Sequence, residues 1–147
     1  MYLSNFVDTL KDLMIENGLN QTELAEILQV KPATVSRYIL GQQTPDIFQA
    51  VKIANYFNCT LDYLFGLEEN NNDKKFRECP VFKTRFVFLL NHFNKSIKEV
   101  EEKTGIAKSA MYYWLKGERK PSMDSIIKLA RCFDSSVDFV LGRVDFE

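Results

Sequence analysis

The segment QTELAEILQVKPATVSRYILG, residues 21–41, carries hydrogen-bond donors rather than nucleophiles or metal ligands. In a helix turning about 100° per residue, Val35, Tyr38 and Ile39 fall on one side, and Ala33, Ser36, Arg37 and Leu40 on the other. An outward guanidinium such as that of Arg37 can donate twice in one plane, which is the pattern that guanine O6 and N7 accept. Lys31, Gln42 and Gln43 flank this helix within reach of phosphates. The second half of the chain offers a different set. Lys108, Ser109, Tyr112, Tyr113 and Lys116 share an outer face, followed by the loop Glu118-Arg119-Lys120.

Other chemistries find no support. There is a single histidine, His92, and GxSxG, paired-carboxylate and Gly-rich phosphate-loop motifs are missing, so catalysis is not expected. Cys59, Cys79 and Cys132 are odd in number and widely spaced, which reads as reduced thiols. Cys79 and His92 make no zinc set, and neither metal nor cofactor is expected. No small-molecule ligand is implied. The chain has no apolar run of roughly 18 residues, and its first residues, MYLSNFVDTL, lack a basic n-region. A cytoplasmic protein with no membrane contact is the resulting expectation. Net charge is −1, but residues 1–68 carry −4 and residues 81–147 carry +3.

The elements that position these donors recur. Residues 6–67 align on 82–143 without a gap at an offset of 76, with 11 identical pairs, among them Gly41/Gly117, Pro45/Pro121, Asp62/Asp138 and Gly66/Gly142. Apolar positions agree as well, including Val35/Met111 and Tyr38/Trp114. The predicted organisation is one fold used twice, over 1–67 and 81–147, with a linker at 68–80, EENNNDKKFRECP. Pro80 is expected in the first turn of the helix that follows.

Each repeat reads as five short helices. Phe6, Leu10, Leu13 and Met14 form the first apolar stripe, closed by Gly18. Asn20 with Glu23, and Ser96 with Glu99, are capping boxes for the second helix. Pro32 starts a third, and Pro45-Asp46 and Pro121-Ser122 open a fourth. Thr60 and Ser136 cap a fifth. Nothing alternates with period two, so no sheet is expected.

Residues 21–41, with TPD...VKIANYF...TLDYLFG after them, resemble the lambda-repressor and Cro-like (XRE-type) helix-turn-helix family. The resemblance implies an all-α chain of two tandem five-helix lambda-repressor-like DNA-binding domains. It further implies base contacts from Pro32, Ala33 and Arg37, with Ser36 on the same face, and a phosphate contact from Gln21. The partner expected on this reading is double-stranded DNA, bound by a repressor-type regulator with two covalently linked, non-identical reading heads. By the same likeness Lys108, Ser109, Tyr112 and Tyr113 would face bases, and Lys116, Arg119 and Lys120 phosphates. A linker extended over roughly 45–50 Å would span half-sites about 34–36 Å apart.

The departures from that pattern carry information. Gln29 stands where the family has a turn glycine and must accept an unusual backbone angle. Ile97 replaces the phosphate glutamine in the second repeat, and Glu101 replaces the small Ala25, so Glu101 must either repack the helix pair or tilt to solvent. Val87 and Phe88 stand where the first repeat has Lys11 and Asp12, which suggests a partner surface, within a homodimer or an intramolecular pseudo-dimer. An alternative to the two-headed DNA reader is a protein-interaction module, an antitoxin or adaptor, whose second repeat kept the fold without reading DNA.

Overall fold

A computed structural model describes residues 2–71 and 75–145. The described residues are helical with no strand, and the chain divides into two units, Met1–Lys74 and Lys75–Glu147. Unit 1 holds α1 (Tyr2–Glu16), α2 (Gln21–Leu28), α3 (Pro32–Ile39), α4 (Ile47–Tyr56) and α5 (Leu61–Leu64). Unit 2 holds α6 (Phe82–His92), α7 (Ile97–Thr104), α8 (Lys108–Lys116), α9 (Met123–Cys132) and α10 (Val137–Leu141). In unit 1, α1 packs on α3 and α5, α2 on α3 and α4, and α4 on α5. Unit 2 repeats those pairings: α6 on α8 and α10, α7 on α8 and α9, and α9 on α10.

The caps stand where local chemistry demands them. Asn20, Asp46, Thr60, Ser96, Ser122 and Ser136 each accept from the backbone N–H three residues on, satisfying a donor that the helix start leaves open. At the first helix of unit 2 the cap is Val81, not Pro80. Pro80 lies ahead of the helix, with its ring against Gly142, where a Cβ would meet Pro80 Cδ at 2.6 Å. A proline there closes the unit rather than starting α6.

Each core is built on aromatic contacts. In unit 1, Phe6 stacks on Phe65 at 5.1 Å and meets Tyr38 edge-on at 6.2 Å. In unit 2, Trp114 takes the edges of Phe82 and Phe86 at 5.8 and 5.4 Å. Two arginines of unit 2 are also inside. Arg85 donates through Nε to Phe139 O at 3.1 Å and lies between the rings of Phe88 and Phe139. Burial first, and then the Arg77 cation, push its pKa down. Arg143 pairs with Asp138 at 2.7 Å, and its guanidinium stands 3.7 Å over the Phe76 ring.

Much of the stretch between the repeats is held by its own unit. Asn71 Nδ2 donates to Asn58 O at 3.2 Å in unit 1. In unit 2 the Arg77 backbone N–H donates to Arg143 O at 2.9 Å, and Arg77 Nε donates to Gly142 O at 2.7 Å. These contacts shorten the reach counted for a wholly extended spacer. Residues 72–74 of the expected linker lie outside the described residues.

Candidate nucleic-acid interface

Helix α3 is fixed from below. Val35 and Tyr38 are in the core, and burial, followed by the Asp46 charge, raises the Tyr38 phenol pKa. Ala25, also buried, lets α2 and α3 approach closely. The turn between them passes through Gln29 in the left-handed conformation, φ 59° and ψ 44°. Lys52 steadies that turn, since its Nζ donates to Leu28 O at 2.6 Å and lies 3.4 Å from Gln29 Oε1. Nothing in the local sequence pointed to Lys52, because its partner is 24 residues away.

With the inner face committed, the outer face of α3 is exposed at Pro32, Ala33 and Arg37, with Ser36 half-buried. Arg37 Nε donates to Gln43 Oε1 at 3.0 Å, and Nη2 stands 3.5 Å from Thr34 Oγ1. The guanidinium therefore projects from the helix in a set orientation. Gln43, expected among the phosphate contacts, is exposed and its Oε1 accepts from Arg37. Gln21, Lys31 and Gln42 are exposed around this face, Gln21 at the start of α2 and Lys31 at the cap of α3. Gln42 also donates its backbone N–H to Arg37 O at 2.9 Å, closing the end of α3.

Unit 2 presents Lys108, Ser109, Tyr112, Tyr113 and Lys116 on the exposed face of α8, with exposed Arg119 and Lys120 following. Arg119 lies 4.5 Å over the Tyr113 ring. At the offset of 76, Tyr113 matches Arg37 and Arg119 matches Gln43. The same two positions touch in both units, but the guanidinium has moved from the helix to the loop. Ile97 is half-buried at the start of α7. Glu101 tilts toward α8: its Oε2 accepts from the Lys108 backbone N–H at 3.0 Å, and its Oε1 lies 3.9 Å from Lys108 Nζ. The Glu99 carboxyl is lowered by its hydrogen bonds within the Ser96 capping box.

Val87 and Phe88 are exposed, at 47% and 42%. The covered part of Phe88 lies within its own unit, where the ring stacks on His92 at 5.2 Å and under Arg85 at 4.4 Å. A groove on unit 2 is lined by Lys103, Thr104, Lys128, Arg131 and Cys132. It sits at the far end of α7 from Ile97, and Lys128 there is paired with Asp124 at 3.1 Å. Among the described residues no group of acidic, histidine and cysteine side chains is arranged to hold a metal ion, and no helix is long and apolar enough to cross a membrane.

The helix-turn-helix family model matches this chain twice, over residues 10–64 and 89–140. YobD of Bacillus subtilis, described as an uncharacterized HTH-type transcriptional regulator, is 40% identical over 50 residues, which cover 34% of this chain and 45% of that protein. The cryptic phage CTXphi transcriptional repressor RstR of Vibrio cholerae is 31% identical over 72 residues, 49% of this chain and 65% of that one. The crystal structure of a transcriptional regulator from Listeria innocua aligns at a TM-score of 0.41 and 28% identity, over 66% of this chain and 83% of that chain. The chain thus spans between 45% and 65% of the length of the first two relatives.

Proposed function

The chain belongs to the helix-turn-helix family, of the lambda-repressor-like kind, through both of its units, and on that premise we propose that it is a sequence-specific transcriptional regulator of the repressor type that binds double-stranded DNA. The observation that carries this reading is Arg37, exposed on α3 and held outward by Gln43 at 3.0 Å. The names of the relatives, regulators and a phage repressor, point the same way. Unit 1 reads bases through Arg37 and Ala33, with Gln21, Lys31 and Gln42 on the backbone. Unit 2 is the second head, gripping the backbone through Lys116, Arg119 and Lys120. A gel shift with duplexes from the region upstream of the chain's own gene tests the reading: a discrete complex resistant to random competitor DNA is expected. Binding no tighter to any such fragment than to competitor would overturn it.

A second reading rests on exposed Val87 and Phe88, which favour unit 2 as a protein-interaction module. Two substitutions separate it from the first. Arg119→Ala and Lys120→Ala should each weaken DNA binding with little change in sequence preference, and each should lower the slope of log affinity against log salt by roughly one. Unchanged slopes in both variants would take unit 2 off the DNA and leave the interaction module standing.

A further inference from the structure

We propose that Glu101 sets the DNA affinity of unit 2 by holding Lys108 against the protein and placing a negative charge at the reading face. This inference rests on the reading of unit 2 as a DNA-binding head. The side chains of Glu101 and Lys108 are 37% and 47% exposed, so the pair lies in water where a polyanion can compete for the ammonium. Both carboxylate oxygens face Lys108, one toward the backbone N–H at 3.0 Å and the other toward Nζ at 3.9 Å.

Unit 1 shows that the fold does not need this pair. The position of Glu101 is held there by Ala25 and that of Lys108 by Pro32, which has no N–H to donate. The acceptor and the donor thus occur together in unit 2 and are both missing in unit 1. A structural task accounts for part of the arrangement. Ala107 offers α8 no side-chain cap, and Glu101 supplies the missing acceptor. Capping needs only an oxygen, however, and a glutamine would provide one. The charge does something else. Next to a phosphate backbone a carboxylate repels, and it cancels a cation that would otherwise displace a counterion.

Glu101→Gln separates the two tasks, because it keeps the acceptor and removes the charge. In the full chain, with a random-sequence DNA duplex of roughly three helical turns as probe, binding is measured over a salt series beside a melting curve. Glu101→Gln should bind about three- to tenfold tighter at low salt and steepen the salt slope by about one, with the melting temperature little changed. Glu101→Ala should also bind tighter but melt earlier. Beside Lys108→Ala, Glu101→Gln/Lys108→Ala should bind only slightly tighter, since the freed cation is gone and relief of the carboxylate's own repulsion is all that remains. If Glu101→Gln binds no tighter than wild type while Arg119→Ala binds more weakly, unit 2 is on the DNA, Glu101 is a cap alone, and only this proposal falls. If Glu101→Gln and Arg119→Ala both bind as wild type does, unit 2 is not on the DNA and both readings fall together.

Discussion

Asp138→Ala should remove a large part of the stability of unit 2 while leaving unit 1 as it was. Arg143 is wholly enclosed, and its Nη1 lies 2.7 Å from the equally enclosed Asp138 Oδ1. The pair closes the end of the unit, since Arg143 follows directly on the Gly142 cap of α10 and its backbone N–H donates to Asp138 O at 2.8 Å. Removing the carboxylate leaves a cation in a site built around its counter-charge. Breaking such a buried pair costs about 3–5 kcal/mol, against a total of about 4–11 kcal/mol expected for a domain of this size. The chain's single tryptophan, Trp114, is in the core of unit 2 and reports on that unit alone. Its denaturation midpoint by fluorescence should fall sharply in Asp138→Ala. Helical signal from unit 1 should persist beyond that transition. Replacing both partners with leucine should cost less than either single change, because no charge is then left inside. A loss below about 1 kcal/mol in Asp138→Ala would put the pair in the range of a solvated surface contact and refute the argument.

That ion pair also shows where sequence reading loses sight of the molecule. What local chemistry decides was legible. A Ser, Thr, Asn or Asp at a helix start caps a donor three residues on; the four expected caps, Asn20, Thr60, Ser96 and Ser136, do so, and so do Asp46 and Ser122 where a helix was expected to open. Gln29, standing where the family has a turn glycine, takes the left-handed angle that this place at the end of α2 requires. The core followed from the repeat, since two sequences with 11 identities in 62 positions still keep apolar residues in register. Contacts between distant positions were not legible. Arg85 reaches Phe139 O across 54 residues, and no periodicity reports such a bond. Charge counting treated every cation of the second half as surface. Arg85 and Arg143 are inside, Lys108 faces Glu101, and Lys128 faces Asp124, so fewer cations are offered to a phosphate backbone than the 12 that half contains. At the candidate interface the sequence named Arg37 from its outward place on the helix. The contact with Gln43, six residues on, depends on how the loop folds back after Gly41, and only the structure shows it.

Arg37→Ala should weaken binding to a specific site by about 1–3 kcal/mol, or roughly 5- to 150-fold, and relax the choice at one base pair, the signature of a lost bidentate contact to guanine. The fold should not notice, because the side chain is exposed and its partners Gln43 and Thr34 are exposed or half-buried surface groups. Two companion substitutions decide what kind of contact Arg37 makes. Lysine keeps the charge but not the planar fork. Arg37→Lys should therefore restore the salt slope of the wild type without restoring its base preference. If Arg37 met only phosphate, lysine would restore both affinity and slope, and no base preference would have changed in the alanine variant. Gln43→Ala removes the acceptor 3.0 Å from Arg37 Nε and leaves the charge in place. It should lose a smaller share of affinity than Arg37→Ala and blur the same base pair, because the guanidinium then has to be ordered at the moment of binding. In the double variant the two losses should fall short of their sum, since the glutamine acts through the arginine. Full additivity would show that Gln43 reaches the DNA by itself, at a phosphate. An Arg37→Ala chain that binds its site as tightly as wild type would remove the guanidinium from the interface altogether.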